Sequence, residues 1–137
     1  MSEPKTKPTN ASPADFIARV AHPIRRRDAE TALAMLSEVT GAPAVMWGAS
    51  IVGFGQYLTT GAKPTPWPMI GFSPRKAEMV VYVMPGFSEY DDLLARLGPH
   101  RTGASCLYIK DFAKADMSVL RELAERSYAM MRAKYRV

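Results

Sequence analysis

At Pro43 the spacing of apolar residues changes period, and that change restricts the fold more than any other feature of the chain. Before it, Ala29, Leu33, Leu36 and Thr40 recur at three- and four-residue steps, the repeat of a helix with one buried face. That helix is predicted from Ile24 to about Thr40, with Gly41 as its left-handed end. A shorter helix is predicted to precede it. Ser12 offers an oxygen to a free backbone N–H, Pro13 presets φ, and Asp15 places a negative charge in the positive first turn. Phe16, Ile17 and Val20 share its apolar face, and Pro23 stops it by disfavouring helical geometry at His22.

Beyond Pro43 the residues are β-branched or aromatic: Val45, Trp47, Ile51, Val52, Phe54 and Tyr57, interrupted by Gly48, Gly53 and Gly55. This pattern predicts strand with glycine bulges. Gly61 to Pro68, with three prolines, is predicted as a loop. Met69 to Phe72 and Glu78 to Met84 follow as strands joined by a turn at Ser73, Pro74 and Arg75, which makes the pairing antiparallel. Ser88, Asp91 and Asp92 open a helix carrying Leu93, Leu94 and Leu97 and ending at Gly98 and Pro99. Ser105 to Ile109 reads as a further strand, expected at a sheet edge where a second subunit could pair as a homodimer. Asp116 caps a last helix whose apolar stripe runs through Met117, Leu120, Leu123, Ala124, Tyr128, Met131 and Tyr135. The expectation is an α+β fold, an antiparallel sheet of about four to five strands with helices packed on it. It forms one domain over 12–137, preceded by a flexible tail over 1–11 that has nothing large and apolar to bury after Met1.

With one cysteine and two histidines in 137 residues, neither an internal disulfide nor a structural zinc site has enough ligands. The core alone must hold the fold, which suits a reducing compartment and a cytoplasmic location. No apolar run approaches the roughly 18 residues that span a bilayer, so no membrane association is expected.

Arg25, Arg26 and Arg27 crowd the positive end of their helix, with Asp28 and Glu30 as relief, and read as a solvated basic turn. Glu89, Asp91 and Asp92 form the one dense acidic group, but carboxylates at a helix start diverge around its axis and more simply neutralise its dipole. Cys106 lies in the apolar run Cys106-Leu107-Tyr108-Ile109 and reads as a small buried hydrophobe rather than a thiol paired with His100. The glycines from Gly48 to Gly55 lack the Lys-Ser or Lys-Thr end of a phosphate loop. Trp47, Tyr57, Arg75, Lys76, Arg101 and Lys110 fall at strand ends or in connections, where binding side chains sit on a rigid scaffold. Cations beside aromatic faces suit a small anionic ligand.

Three stretches, in order, resemble a known family. They are Met46-Trp47-Gly48 with Ile51 to Tyr57, then Gly71-Phe72-Ser73-Pro74-Arg75-Lys76 leading to Tyr82-Val83-Met84-Pro85-Gly86-Phe87, and Arg101 to Lys110. Over about residues 14–135 the chain resembles the YdhG-like domain of unknown function, a family of small bacterial proteins, and the resemblance implies an α+β fold. It implies no catalytic residues. One branch is described as similar to frataxin, an iron chaperone, which implies iron as cargo.

The leading functional expectation is a non-enzymatic cytoplasmic module binding a small anionic ligand or a protein partner through Trp47, Tyr57, Arg75, Lys76, Arg101 and Lys110. The alternative is an iron chaperone with Glu89, Asp91 and Asp92, joined by Asp111 and Asp116, as oxygen ligands. A net charge of +5 ranks that second and leaves nucleic-acid binding third, since no recognition motif accompanies the charge. An enzyme using Tyr82, Tyr108 and His100 for proton exchange is the fourth expectation.

Overall fold

The computed structural model describes residues 7–60 and 62–135. The first helix, α1, covers Pro13–Ala18, and the Ser12 side chain accepts from the Asp15 backbone N–H as its sequence predicts. Helix α2, Pro23–Thr40, ends on Gly41 at φ 64°. The segment expected as one bulged strand is instead a hairpin, β1 (Ala44–Trp47) and β2 (Ile51–Phe54), with Gly48 in its turn at φ 66°. Two short strands, β3 (Tyr57–Leu58) and β4 (Pro66–Trp67), then pair in a separate ribbon, so part of the proline-rich stretch expected as loop is extended. Strands β5 (Ile70–Pro74) and β6 (Met79–Val83) form the next hairpin, closed where the Arg75 N–H donates to the Glu78 carbonyl at 3.0 Å.

Helix α3, Asp91–Leu97, starts later than Ser88, and Tyr90 at its N-cap gives no side-chain hydrogen bond. Two residues, Arg101–Thr102, make β7, and Cys106–Ile109 make β8. A 3-10 turn at Phe112–Lys114 precedes helix α4, Met117–Lys134, which Asp116 caps through the N–H groups of Ser118 and Val119.

The main sheet is antiparallel and six-stranded, ordered β1-β2-β5-β6-β8-β7. It exceeds the four to five strands expected because the first of them folds as the β1–β2 hairpin and because β7 is too short to leave a pattern in the sequence. For the same reason β8 is not at the edge: β6 flanks one side of it and β7 the other. At the opposite edge the Lys7 carbonyl accepts from Gly48 N–H and the Thr9 N–H donates to Met46 carbonyl, both at 2.8 Å, so residues 7–9 line the outer side of β1. Residues 1–6 of the expected tail lie outside the described residues.

Strand alternation divides the sheet into two faces. Met46, Val52, Phe54, Ile70, Phe72, Met79, Val81, Val83, Leu107 and Ile109 pack into one core with apolar residues of all four helices, among them Ile17, Leu36, Leu93 and Leu123. Among the described residues, no helix packs on the other face. Its cross-strand rows are Gly53, Gly71, Tyr82 and Cys106, then Ser73, Val80, Tyr108 and Arg101. Trp47 belongs to this face: a Cβ on Gly53 would lie 2.6 Å from Trp47 Cδ1 and 2.6 Å from Pro68 Cβ. Gly53 is therefore the floor on which the indole rests.

In the basic first turn of α2, Arg27 is exposed as expected and Arg26 partly so, but Arg25 is buried. Arg25 is 5% exposed and donates to three carbonyls, Arg75 (3.1 Å), Lys110 (2.5 Å) and Ala77 (3.2 Å), so one guanidinium ties the β5–β6 turn to the end of β8. Asp28 is buried too, accepting from Arg27 and from the Phe112 N–H at 3.0 Å. The relief expected from Asp28 reaches Arg27, but in the interior. Among the described residues, no helix is long and apolar enough to cross a membrane.

Candidate functional site

A cavity of about 620 Å³ opens at the β7 end of the sheet, and the alternation just described decides what lines it. Leu107 and Ile109 point into the core, so Tyr108 and Lys110 stand on the helix-free side. Tyr108 pairs across to Arg101 on one neighbour and Val80 on the other. Glu78, just ahead of β6, adds a carboxylate, and Pro99, His100, Asp111 and Lys114 complete the lining.

Gly98 builds the remaining wall. Its φ of 105° is closed to most side chains, and a Cβ there would lie 2.8 Å from the Lys114 carbonyl. That close approach, with the Asp116 N–H donating to the Leu97 carbonyl at 2.7 Å, seats the 98–100 loop against the 3-10 turn.

The lining is mixed in charge, but its cations differ in how they are engaged. Arg101 pairs with Glu78 Oε1 and lies 3.8 Å above the Tyr108 ring centroid. Pair and ring hold the guanidinium in place while leaving the side chain 64% exposed. Among the described residues, Lys110 and Lys114 make no ion pair. Asp111 is bound from behind: its Oδ1 accepts from the Ala113 N–H at 2.9 Å and from Arg27 at 2.6 Å. These two bonds, the backbone one first, hold its carboxyl below the ordinary range. His100 contacts the Gly98 carbonyl through Nδ1 at 2.7 Å. A carbonyl only accepts, so Nδ1 is the donor in this contact. The Tyr108 hydroxyl sits above its ordinary value, chiefly through the side chain of Cys106 beside it.

Of the six residues expected to converge, only Arg101 and Lys110 do. Trp47 is 2% exposed, edge-on to Trp67 with ring centroids 6.3 Å apart. Tyr57 is buried in the core against Tyr135, centroids 4.5 Å apart, and burial raises its hydroxyl above the ordinary range. Arg75 turns along the helix-free face, donating to Ser73 Oγ at 3.1 Å and to the Tyr82 hydroxyl at 2.9 Å. Lys76 is exposed in the β5–β6 turn, outside the cavity lining.

Of the proton-exchange candidates, Tyr108 and His100 line the cavity, whereas Tyr82 is tied to Arg75. Cys106 is half-buried on the helix-free face, not enclosed as a core hydrophobe, because β8 turns alternate residues away from the helices. Glu89, Asp91 and Asp92 surround the start of α3, and Asp92 reaches Arg126 at 3.8 Å. Among the described residues no three His, Cys, Asp or Glu side chains are grouped to hold a metal ion. Lys114, Glu78 and Asp111 were not foreseen as members of an anion site. Alternation from Leu107 could have flagged Tyr108, but nothing local places Lys114 opposite β7.

No family model, no curated protein and no solved structure matches this chain.

Proposed function

We propose that the chain is a cytoplasmic, non-enzymatic binding module of YdhG-like type that takes a small anionic ligand in the cavity beside β7 and β8. One observation carries this reading: two lysines without ion-pair partners and one arginine fixed on an aromatic ring line the same 620 Å³ space. Unpaired ammonium groups gain most from an anion, and a guanidinium already held by its neighbours loses little freedom on binding one. The volume lies within the range of small-molecule sites, and the stems of Lys110 and Lys114 with the Tyr108 ring and Pro99 supply apolar surface. The YdhG-like resemblance is compatible with the antiparallel α+β architecture.

Isothermal titration calorimetry with inorganic phosphate and with citrate tests the reading. The wild-type chain binds at least one of them, and Lys110→Ala with Lys114→Ala weakens that binding by about 10-fold or more, the loss of a charge-assisted hydrogen bond. Affinity unchanged by the double substitution refutes the siting.

A further inference from the structure

The site assigned above also holds two carboxylates, and a purely anionic ligand leaves them unexplained. Glu78 uses Oε1 for Arg101, and Asp111 uses Oδ1 for Arg27 and Ala113. Oε2 of Glu78 and Oδ2 of Asp111 have no hydrogen-bond partner among the described residues. Neither side chain is fully closed off, at 12% and 22% exposed. A ligand occupying this space therefore meets cations and spare carboxylate oxygens together.

The charges choose between the two kinds of donor that such oxygens accept. Glu78 pairs with Arg101, Asp111 shares Arg27 with Asp28, and the cavity lining itself sets Arg101, Lys110 and Lys114 against the two carboxylates Glu78 and Asp111. An ammonium group would enter a field with an excess of positive charge. A neutral hydroxyl donates to the same oxygens without that penalty. The cavity is also much larger than an inorganic anion needs, so room remains for a carbon skeleton beyond the anionic head.

We infer that the ligand is a hydroxyl-bearing phosphomonoester of the sugar-phosphate class: its phosphate meets Lys110, Lys114 and Arg101, and its hydroxyls donate to Glu78 and Asp111. This inference rests on the anion-site reading and adds the chemistry of the rest of the ligand. Binding alone is proposed, with no bond made or broken.

Calorimetry on the full chain with three probes, ribose 5-phosphate, inorganic phosphate and free ribose, separates the possibilities. Ribose 5-phosphate is expected to bind about 10-fold or more tighter than inorganic phosphate, as two hydroxyl-to-carboxylate bonds imply. Glu78→Ala and Asp111→Asn, each checked for its fold by circular dichroism, are expected to shrink that ratio, which is read within each variant so that any change in its affinity for inorganic phosphate cancels. Should one variant fail to fold, the other still reads the ratio. Equal affinity for the two phosphates, or a ratio that survives the substitutions, overturns the inference while the anion site stands. Absence of binding by both phosphates overturns the inference, and absence of citrate binding as well overturns the anion site.

Discussion

Arg101 lies 3.8 Å from the centroid of the Tyr108 ring while pairing with Glu78, so the ring and the carboxylate together set where this guanidinium stands. An arginine so held is pre-organised for an anion. Removing the ring frees it. Tyr108→Ala is expected to weaken phosphate binding by about 3- to 5-fold, the scale of an exposed cation–π contact. Tyr108→Phe keeps the face and is expected to bind as the wild type does. Calorimetric titration with inorganic phosphate checks both.

Arg25 is the interior counterpart. Its three bonds join segments 50 to 85 residues apart in sequence, and the acceptors are backbone carbonyls. Arg25→Met is expected to destabilise the fold by about 3 kcal/mol, since it orphans part-buried carbonyls. Arg25→Lys keeps the charge but loses the planar fork, and recovers less than half of that loss. Urea unfolding measures the difference.

Gly53 and Gly98 are both held by close approach. Gly53→Ala pushes a methyl into Trp47 and Pro68, and is expected to cost about 1–3 kcal/mol as an overpacked site. Gly98→Ala meets the Lys114 carbonyl and adds the strain of a positive φ. It is expected to lower both the thermal midpoint and phosphate affinity, because it displaces the loop that carries His100. Gly53→Ala, remote from the cavity, is expected to lower the midpoint alone.

Stability should fall in acid, with a definite sign. Asp111 and Asp116 are held below the ordinary carboxyl value of 3.8, the first by the Ala113 N–H and Arg27, the second by the Ser118 hydroxyl and the Val119 N–H. Each binds a proton less readily folded than unfolded. Their contribution is therefore present above pH 3.8 and lost as pH falls through the depressed folded values. Thermal scans at decreasing pH are expected to show the midpoint dropping below about pH 4. The drop is expected to be shallower in Asp116→Asn.

Much of this fold was legible where a local rule decides. Ser12, Gly41 and Asp116 marked helix ends because capping involves only neighbouring residues. The stripe through Leu120, Leu123 and Tyr128 marked a buried helix face. Strands β4 and β7 escaped because two residues form no period and take their geometry from the strand opposite. Trp47 looked available because its burial depends on Gly53 and Pro68 across the sheet. Arg25 looked solvated because its partners are far along the chain. In the site, Arg101 and Lys110 were recognised as cations at strand ends. Lys114 joins them only through the approach of Gly98 to the 3-10 turn, which spacing does not reveal.

Residue-resolved NMR shifts of the amide groups during titration with inorganic phosphate bear most directly on the cavity as an anion site. Saturable shifts are expected at 99–102, 108–114 and Glu78, and they are expected to vanish when Lys110 and Lys114 are both replaced by alanine. Shifts centred on the Arg75 and Lys76 turn instead, or none at millimolar phosphate, would contradict the assignment.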